Sequence, residues 1–232
     1  MSYTVTLSTL IARVRQRSNL EGAAAFVTDP EIIDHINQGI CEWHDLVRLT
    51  TWGGQFYRSQ AVVVTTAGQS SYSLPATFAS MLSVDCALTG GNLVGNVYPY
   101  PEEDRNRFRS FPGAGSLLPG QPMYYQIQAG NIAFIPVPLG GYTVTLNFVP
   151  TAQILVSGTD VLDTFNGWEE FIVLDAAIKC LVKDGQTDII PLLAGMKASQ
   201  TARIQKAANS RDMGAAECVH DVVGHHSPWE DF

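Results

Sequence analysis

Residues 168–182 read WEEFIVLDAAIKCLV, and the period of that stretch decides the architecture. Trp168, Phe171, Leu174, Ile178, Leu181 and Val182 form one helical stripe, and Ile172, Ala176 and Cys180 form a second. A helix apolar on two sides belongs at the centre of a bundle or between subunits, because water would otherwise meet a row of large side chains. Trp168, Phe171, Ile172, Ala176 and Ile178 are accordingly candidates for inter-subunit packing as well as for the centre of a bundle. Asp175 and Lys179 can pair at i, i+4 on the remaining polar side. The adjacent Glu169 and Glu170 point about 100° apart and cannot converge on one substrate oxygen. Gly185 ends the helix. A further helix should follow, capped by Asp188, with Pro191 in its first turn, running through Leu193, Met196, Ile204 and Ala207 to about Asp212.

Two helices at the other end of the chain show the same period. Leu7, Leu10, Ile11 and Val14 share one face, with Arg13 and Arg17 on another. Thr28-Asp29-Pro30-Glu31 has the form of a capping box, with Pro30 where its missing N–H costs least. Ile32, Ile33, Ile36, Ile40, Trp43, Leu46 and Val47 continue the stripe for about four turns.

Between Thr51 and Pro150 the pattern changes to short strands: Ala61–Thr66, Ser71–Leu74, Ser80–Leu88, Tyr124–Gln128, Ile132–Val137 and Tyr142–Val149. Turn residues separate them, and the Gly130-Asn131 pair reads as a hairpin turn. Glu102, Glu103 and Asp104 ahead of Arg105, Arg107 and Arg109 give a short helix the charge order its dipole prefers. The fold class is α+β. A four-helix unit forms from the N- and C-terminal helix pairs (1–50 and 151–213), because each pair alone would leave its apolar face wet. Residues 51–150 are a β-rich insert, and 214–232 are an extended C-terminal tail.

The composition excludes several classes. The 232 residues are 46% hydrophobic and 16% charged, which is inconsistent with a wholly disordered chain. A net charge of −8 and pI near 5.0 argue against binding through phosphate neutralisation. No segment approaches a membrane span, and the first residues lack a basic-then-apolar signal. Cys41, Cys86, Cys180 and Cys218 form no CxxC pair and read as buried free thiols made in a reducing compartment. The charge is uneven. Residues 51–150 hold four bases and four acids, whereas 214–232 hold four acids and no base, half the net charge.

No catalytic constellation, cofactor motif or metal site emerges. The glycines form neither GxGxxG nor a P-loop. Cys218, His220, Asp221, His225 and His226 match no zinc spacing. His35 and His44 lie about 13 Å apart along one helix, too far to share an ion. Cys41 and His44 stand at i, i+3, but a thiol in an apolar stripe is ordinarily inert. Asp160 and Asp163 could bind a cation in a loop, against the plainer reading of capping or solvation. Among the aromatics, Tyr98, Tyr100 and Phe111 fall in loops and could anchor a partner. Trp229, in an acidic tail, suits a segment that docks elsewhere; disorder is the competing reading.

Several segments together resemble the head-to-tail adaptor (connector) proteins of tailed bacteriophages. They are Thr28 to Ile40 (TDPEIIDHINQGI), Tyr72 to Pro75 (YSLP), Gly120 to Tyr125 (GQPMYY), Ile132 to Pro138 (IAFIPVP) and Gly167 to Lys179 (GWEEFIVLDAAIK). Arg203-Ile204 and Ala207 to Asp212 (AANSRD) complete the series. The resemblance implies a non-enzymatic virion protein at the head–tail junction, assembled in the host cytoplasm. It further implies a ring of about twelve copies beneath the portal protein, matching its symmetry. Such a ring extends the DNA channel, passes genomic DNA without specific binding, and gives tail or nozzle proteins a platform. The C-terminal segment would reach the portal, with Cys218, His220, Asp221, Val222, Val223, Trp229 and Phe232 as the docking residues. Competing readings are a virion-associated hydrolase using Asp160 or Asp163, and a tail-tip β module that binds a glycan or receptor.

Overall fold

The computed structural model describes residues 3–22, 26–49, 57–88, 93–104, 120–165 and 167–209. A short strand, β1 (Tyr3–Thr6), leads directly into α1 (Leu7–Arg17), with the Thr6 hydroxyl accepting from the Thr9 N–H at 3.3 Å. The start of α2 (Asp29–Arg48) is set by the expected capping box: the Thr28 N–H donates to the Glu31 carboxylate at 3.0 Å, with Pro30 in the first turn. The third helix, α3 (Glu169–Asp184), ends at Gly185, whose φ of 77° is the left-handed conformation glycine adopts without steric cost. The last, α4 (Ile190–Asn209), has Pro191 in its first turn, with the Ile190 N–H donating to the Thr187 carbonyl at 3.2 Å and the Leu193 N–H to the Ile189 carbonyl at 3.1 Å.

Side chains from all four helices among the described residues enter one apolar core. Leu7, Leu10 and Val14 come from α1; Ile32, Ile36, Ile40, Trp43 and Val47 from α2; Leu193, Ile204 and Ala208 from α4. They close around α3, whose residues Phe171 to Ala177 are all buried. Trp168, Phe171, Ile172 and Ala176 are buried within their own chain, and Ile178 packs half-buried on the same core. The two-sided apolar pattern has the central-helix solution. Burying each large aliphatic side chain contributes about 1.5–3 kcal/mol, so covering both sides within one chain is strongly favoured.

The strands between α2 and α3 are β2 (Ser59–Val64), β3 (Ser71–Ser73), β4 (Phe78–Leu88), β5 (Leu93–Pro99), β6 (Tyr124–Gln128), β7 (Asn131–Ile135), β8 (Tyr142–Pro150) and β9 (Val161–Thr164). Seven of them form a sheet in the order β2-β8-β4-β5-β6-β7-β3, antiparallel except for β5–β6. It curls around a second core of Tyr72, Val84, Val97, Tyr125, Ile132, Phe134, Tyr142, Val144, Leu146 and Phe148. Strand β4 shifts register twice against β8, and Leu82, the extra residue between Met81 and Ser83, is turned out to solvent. The β6–β7 turn is Ala129-Gly130, one residue earlier than the Gly130-Asn131 reading. Ala129 takes the positive φ (50°), and Asn131 already pairs with Gln128. The expected helix after Pro101 is a single 3₁₀ turn, Glu102–Asp104; the three arginines that follow lie outside the described residues. The remaining strands, β1 and β9, pair antiparallel and bring the chain's first residues to the entrance of α3.

Helices α2 and α3 approach closely at Gly39. A Cβ there would stand 3.2 Å from an Asp175 carboxylate oxygen and 3.3 Å from the Ile172 Cγ2. Gly39→Ala should therefore destabilise the chain by about 1–3 kcal/mol through overpacking. Ile172→Ala should cost about 2–5 kcal/mol through the cavity it leaves. Urea denaturation midpoints measure both, with an unchanged slope expected.

Candidate functional site

Charged side chains tie the helices together at three places. Arg13 and Arg17, one turn apart on α1, meet the first turn of α3: Arg13 pairs with Glu169 at 3.2 Å and Arg17 with Glu170 at 2.7 Å. The 100° between the two glutamates is thus used to engage two separate arginines. Arg15 pairs with Asp29 at 2.6 Å and donates to the Val27 carbonyl at 3.0 Å, fixing the connection into α2. The third place is a four-residue cluster. Buried Asp175 accepts from Lys179 at 2.7 Å and from Lys197 of α4 at 2.6 Å, and both lysines also reach Glu42 of α2. Burial opposes the Lys197 charge, but hydrogen bonds to Asp175 and Glu42 outweigh it and hold the ammonium above its ordinary value. The Asp175–Lys179 pair was legible as i, i+4; Glu42 and Lys197 join it only through folding.

The carboxylates weighed as catalytic groups sit in other roles. Asp160 accepts from the backbone N–H groups of Val156 and Ser157 at 2.7 and 2.8 Å, which hold it below its ordinary value and close a tight loop. Asp163 is exposed on β9, opposite Thr4. Buried His44 stacks on Tyr57 at 4.5 Å, and desolvation holds both His35 and His44 below the usual imidazole range. Cys86 and Cys180 are buried, and burial pushes each thiol up to about 11. Cys41 is exposed, contrary to the expectation of four buried thiols, because it lies opposite the core-facing Ile40-Trp43 edge of α2. Among the described residues no group of three or more His, Cys, Asp or Glu could hold a metal ion. No helix among them is long and apolar enough to cross a membrane.

Two side-chain amides organise the surface in ways the sequence did not signal. Asn37 of α2 donates to the Leu155 carbonyl and accepts from the Leu155 N–H, both at 2.9 Å, so it acts like a strand partner. This pins residues 154–156 with Leu155 buried and Ile154 and Val156 turned outward. Asn147 of β8, also buried, accepts at Oδ1 from Arg58 and Gln60, each at 2.8 Å. It donates to Ser83 at 2.9 Å and Asp85 at 2.8 Å, joining β2, β8 and β4 across the outer sheet face. Both asparagines look like ordinary polar positions in one dimension.

The aromatics read as loop anchors divide. Tyr98 lies on β5 and is exposed; Tyr100 is buried, its hydroxyl bonded to Gln126 at 3.1 Å. Phe111 lies outside the described residues, as do Cys218, His220, Asp221, Val222, Val223, Trp229 and Phe232.

The SU10 adaptor protein family matches residues 5–218, nearly the whole chain, and the chain belongs to it. That family is one of phage head-to-tail adaptors, components of the virion. No curated protein matches the chain significantly.

Asp175→Asn should lower stability by about 1–3 kcal/mol, because two part-buried lysines lose their shared carboxylate. Glu31 gives a pH test. A hydrogen bond from Lys183, then one from the Thr28 N–H, pulls its carboxyl from 4.5 to about 2. Its stabilisation is full above pH 4.5 and is lost as pH falls towards 2. Glu31→Gln should lower Tm at neutral pH and flatten the Tm-against-pH curve across that acid window.

Proposed function

We propose that the chain is a structural, non-enzymatic head-to-tail adaptor. In this reading it forms a ring of about twelve copies beneath the portal protein, extends the DNA channel, and presents a platform to tail or nozzle proteins. The observation that carries the reading is the extent of the family match, which runs through both apolar cores, helical and β-rich alike. An acidic chain also suits a channel wall, since it repels phosphate and lets genomic DNA slide without being held.

Within this reading, residues 1–50 and 151–213 form a four-helix adaptor domain and 51–150 an inserted β domain. Residues 214–232 are an acidic docking tail that reaches the portal through Val222, Val223, Trp229 and Phe232, with Cys218, His220 and Asp221 alongside. Tryptophan is a frequent anchor in such interfaces. The charged and stacked groups described above act as fold-holding contacts.

Particles made without this protein should lose packaged DNA or remain tailless in electron micrographs; normal tailed particles would refute the adaptor role. Truncation after Asp212 should abolish co-purification with portal protein while leaving the circular dichroism spectrum unchanged. Undiminished portal binding would remove the tail from the docking role.

A further inference from the structure

The helices and the seven-stranded sheet have separate apolar cores, and no helix among the described residues packs extensively on that sheet. The chain leaves the helical part after α2 and returns to it after β8, so the stretches after Arg48 and after Pro150 are the two covalent links. His44, one turn from the end of α2, touches both. Its ring stacks on Tyr57, just ahead of β2, with centroids 4.5 Å and planes 24° apart. It also hydrogen-bonds to the backbone of Pro150, the last residue of β8. Proline has no N–H, so the imidazole donates and the Pro150 carbonyl accepts. The aromatic contacts continue inward: Tyr57 meets Trp43 edge-on at 6.0 Å, and Trp43 meets Trp168, at the entrance of α3, at 6.4 Å.

This geometry favours one charge state. His44 is 7% exposed, and its Nε2 is buried with no hydrogen-bond partner among the described residues, which leaves Nδ1 as the donor to Pro150. Protonation would place an N–H at Nε2 with no acceptor, and a charge with little water around it. The neighbouring charges do not offset that cost. Asp45 favours the imidazolium and Arg48 opposes it, and the two pair with each other at 3.3 Å. Burial and the Asp163 charge keep the Tyr57 hydroxyl neutral, and Arg58 is turned to Asn147. Desolvation is the largest influence on His44 and holds it below 6.5.

We propose that His44 is a pH-sensitive pin for the helix–sheet junction: neutral, it locks the sheet to the end of α2; protonated, it releases that attachment while both cores stay folded. A histidine disfavoured as a cation in the closed junction stabilises closure fully above 6.5 and progressively less as pH falls below it. Closure therefore weakens by up to about tenfold per pH unit in that range. The window lies above the acid window of Glu31, so the two effects separate.

Hydrogen exchange on the full-length chain, corrected for the intrinsic pH dependence of exchange, tests this alongside an NMR titration of the His44 ring. Between about pH 7.5 and about pH 5, protection should fall about tenfold or more at Arg48, Leu49, Ser59 and Thr151. Amides of the two cores, Val144–Leu146 and Ile172–Ala176, should change little. The midpoint of the junction change should coincide with that of the His44 ring. His44→Phe keeps a ring on Tyr57 but has no proton to gain, so it should abolish the pH dependence even if protection is lower throughout. If that variant does not fold, the two midpoints in the unsubstituted chain still decide. Unchanged junction protection, an equal loss in both cores, midpoints that differ, or a pH dependence that persists in His44→Phe would each overturn the pin.

Discussion

The helical part depends on how α3 is covered. Seven consecutive residues of that helix, Phe171 to Ala177, are buried, including the charged Asp175. An apolar helix with no wet side must be enclosed, and three other helices do this from one chain. Burying Asp175 along with them obliges the fold to bring cations to it, and Lys179 and Lys197 arrive from two helices. The absent side chain at Gly39 lets α2 lie close beside that same carboxylate. Apolar coverage, the ion cluster and the close helix approach are consequences of one constraint.

The paired arginines of α1 show the same economy at the other end of α3. Glu169 and Glu170 occupy its first turn, where the helix dipole favours acids, and each also anchors α1. The β1–β9 pair then fastens the start of the chain next to the entrance of α3, across more than 150 residues. The sheet can therefore be inserted between α2 and α3 without loosening the helices, because the helical contacts do not pass through it.

Elements with a sustained period were legible in the sequence. The stripes of α2 and α3, the capping box at Thr28 and the stop at Gly185 lie where the spacing places them, since each depends on residues within one or two turns. Six strands were legible from alternation and turn residues. Strands β1, β5 and β9 were not: two are only four residues long, and β5, with Gly95 and a terminal Pro99, lacks a clean alternation. Tyr98 was consequently misplaced in a loop. The one-residue error at the β6–β7 turn arose because Ala129, rather than a glycine, adopts the positive φ.

By itself, then, the sequence determined which segments are helical, that the middle is a β sheet, and which adaptor family the whole resembles. Those properties reside in local spacing and in the order of motifs. Only the tertiary structure decided that Trp168, Phe171, Ile172 and Ala176 face inward, because a two-sided stripe is compatible with either a central helix or a subunit interface. It alone also brought Asn37 to Leu155 and Lys197 to Asp175, pairs separated by 118 and 22 residues. Such contacts depend on how the helices pack, and no local period encodes them.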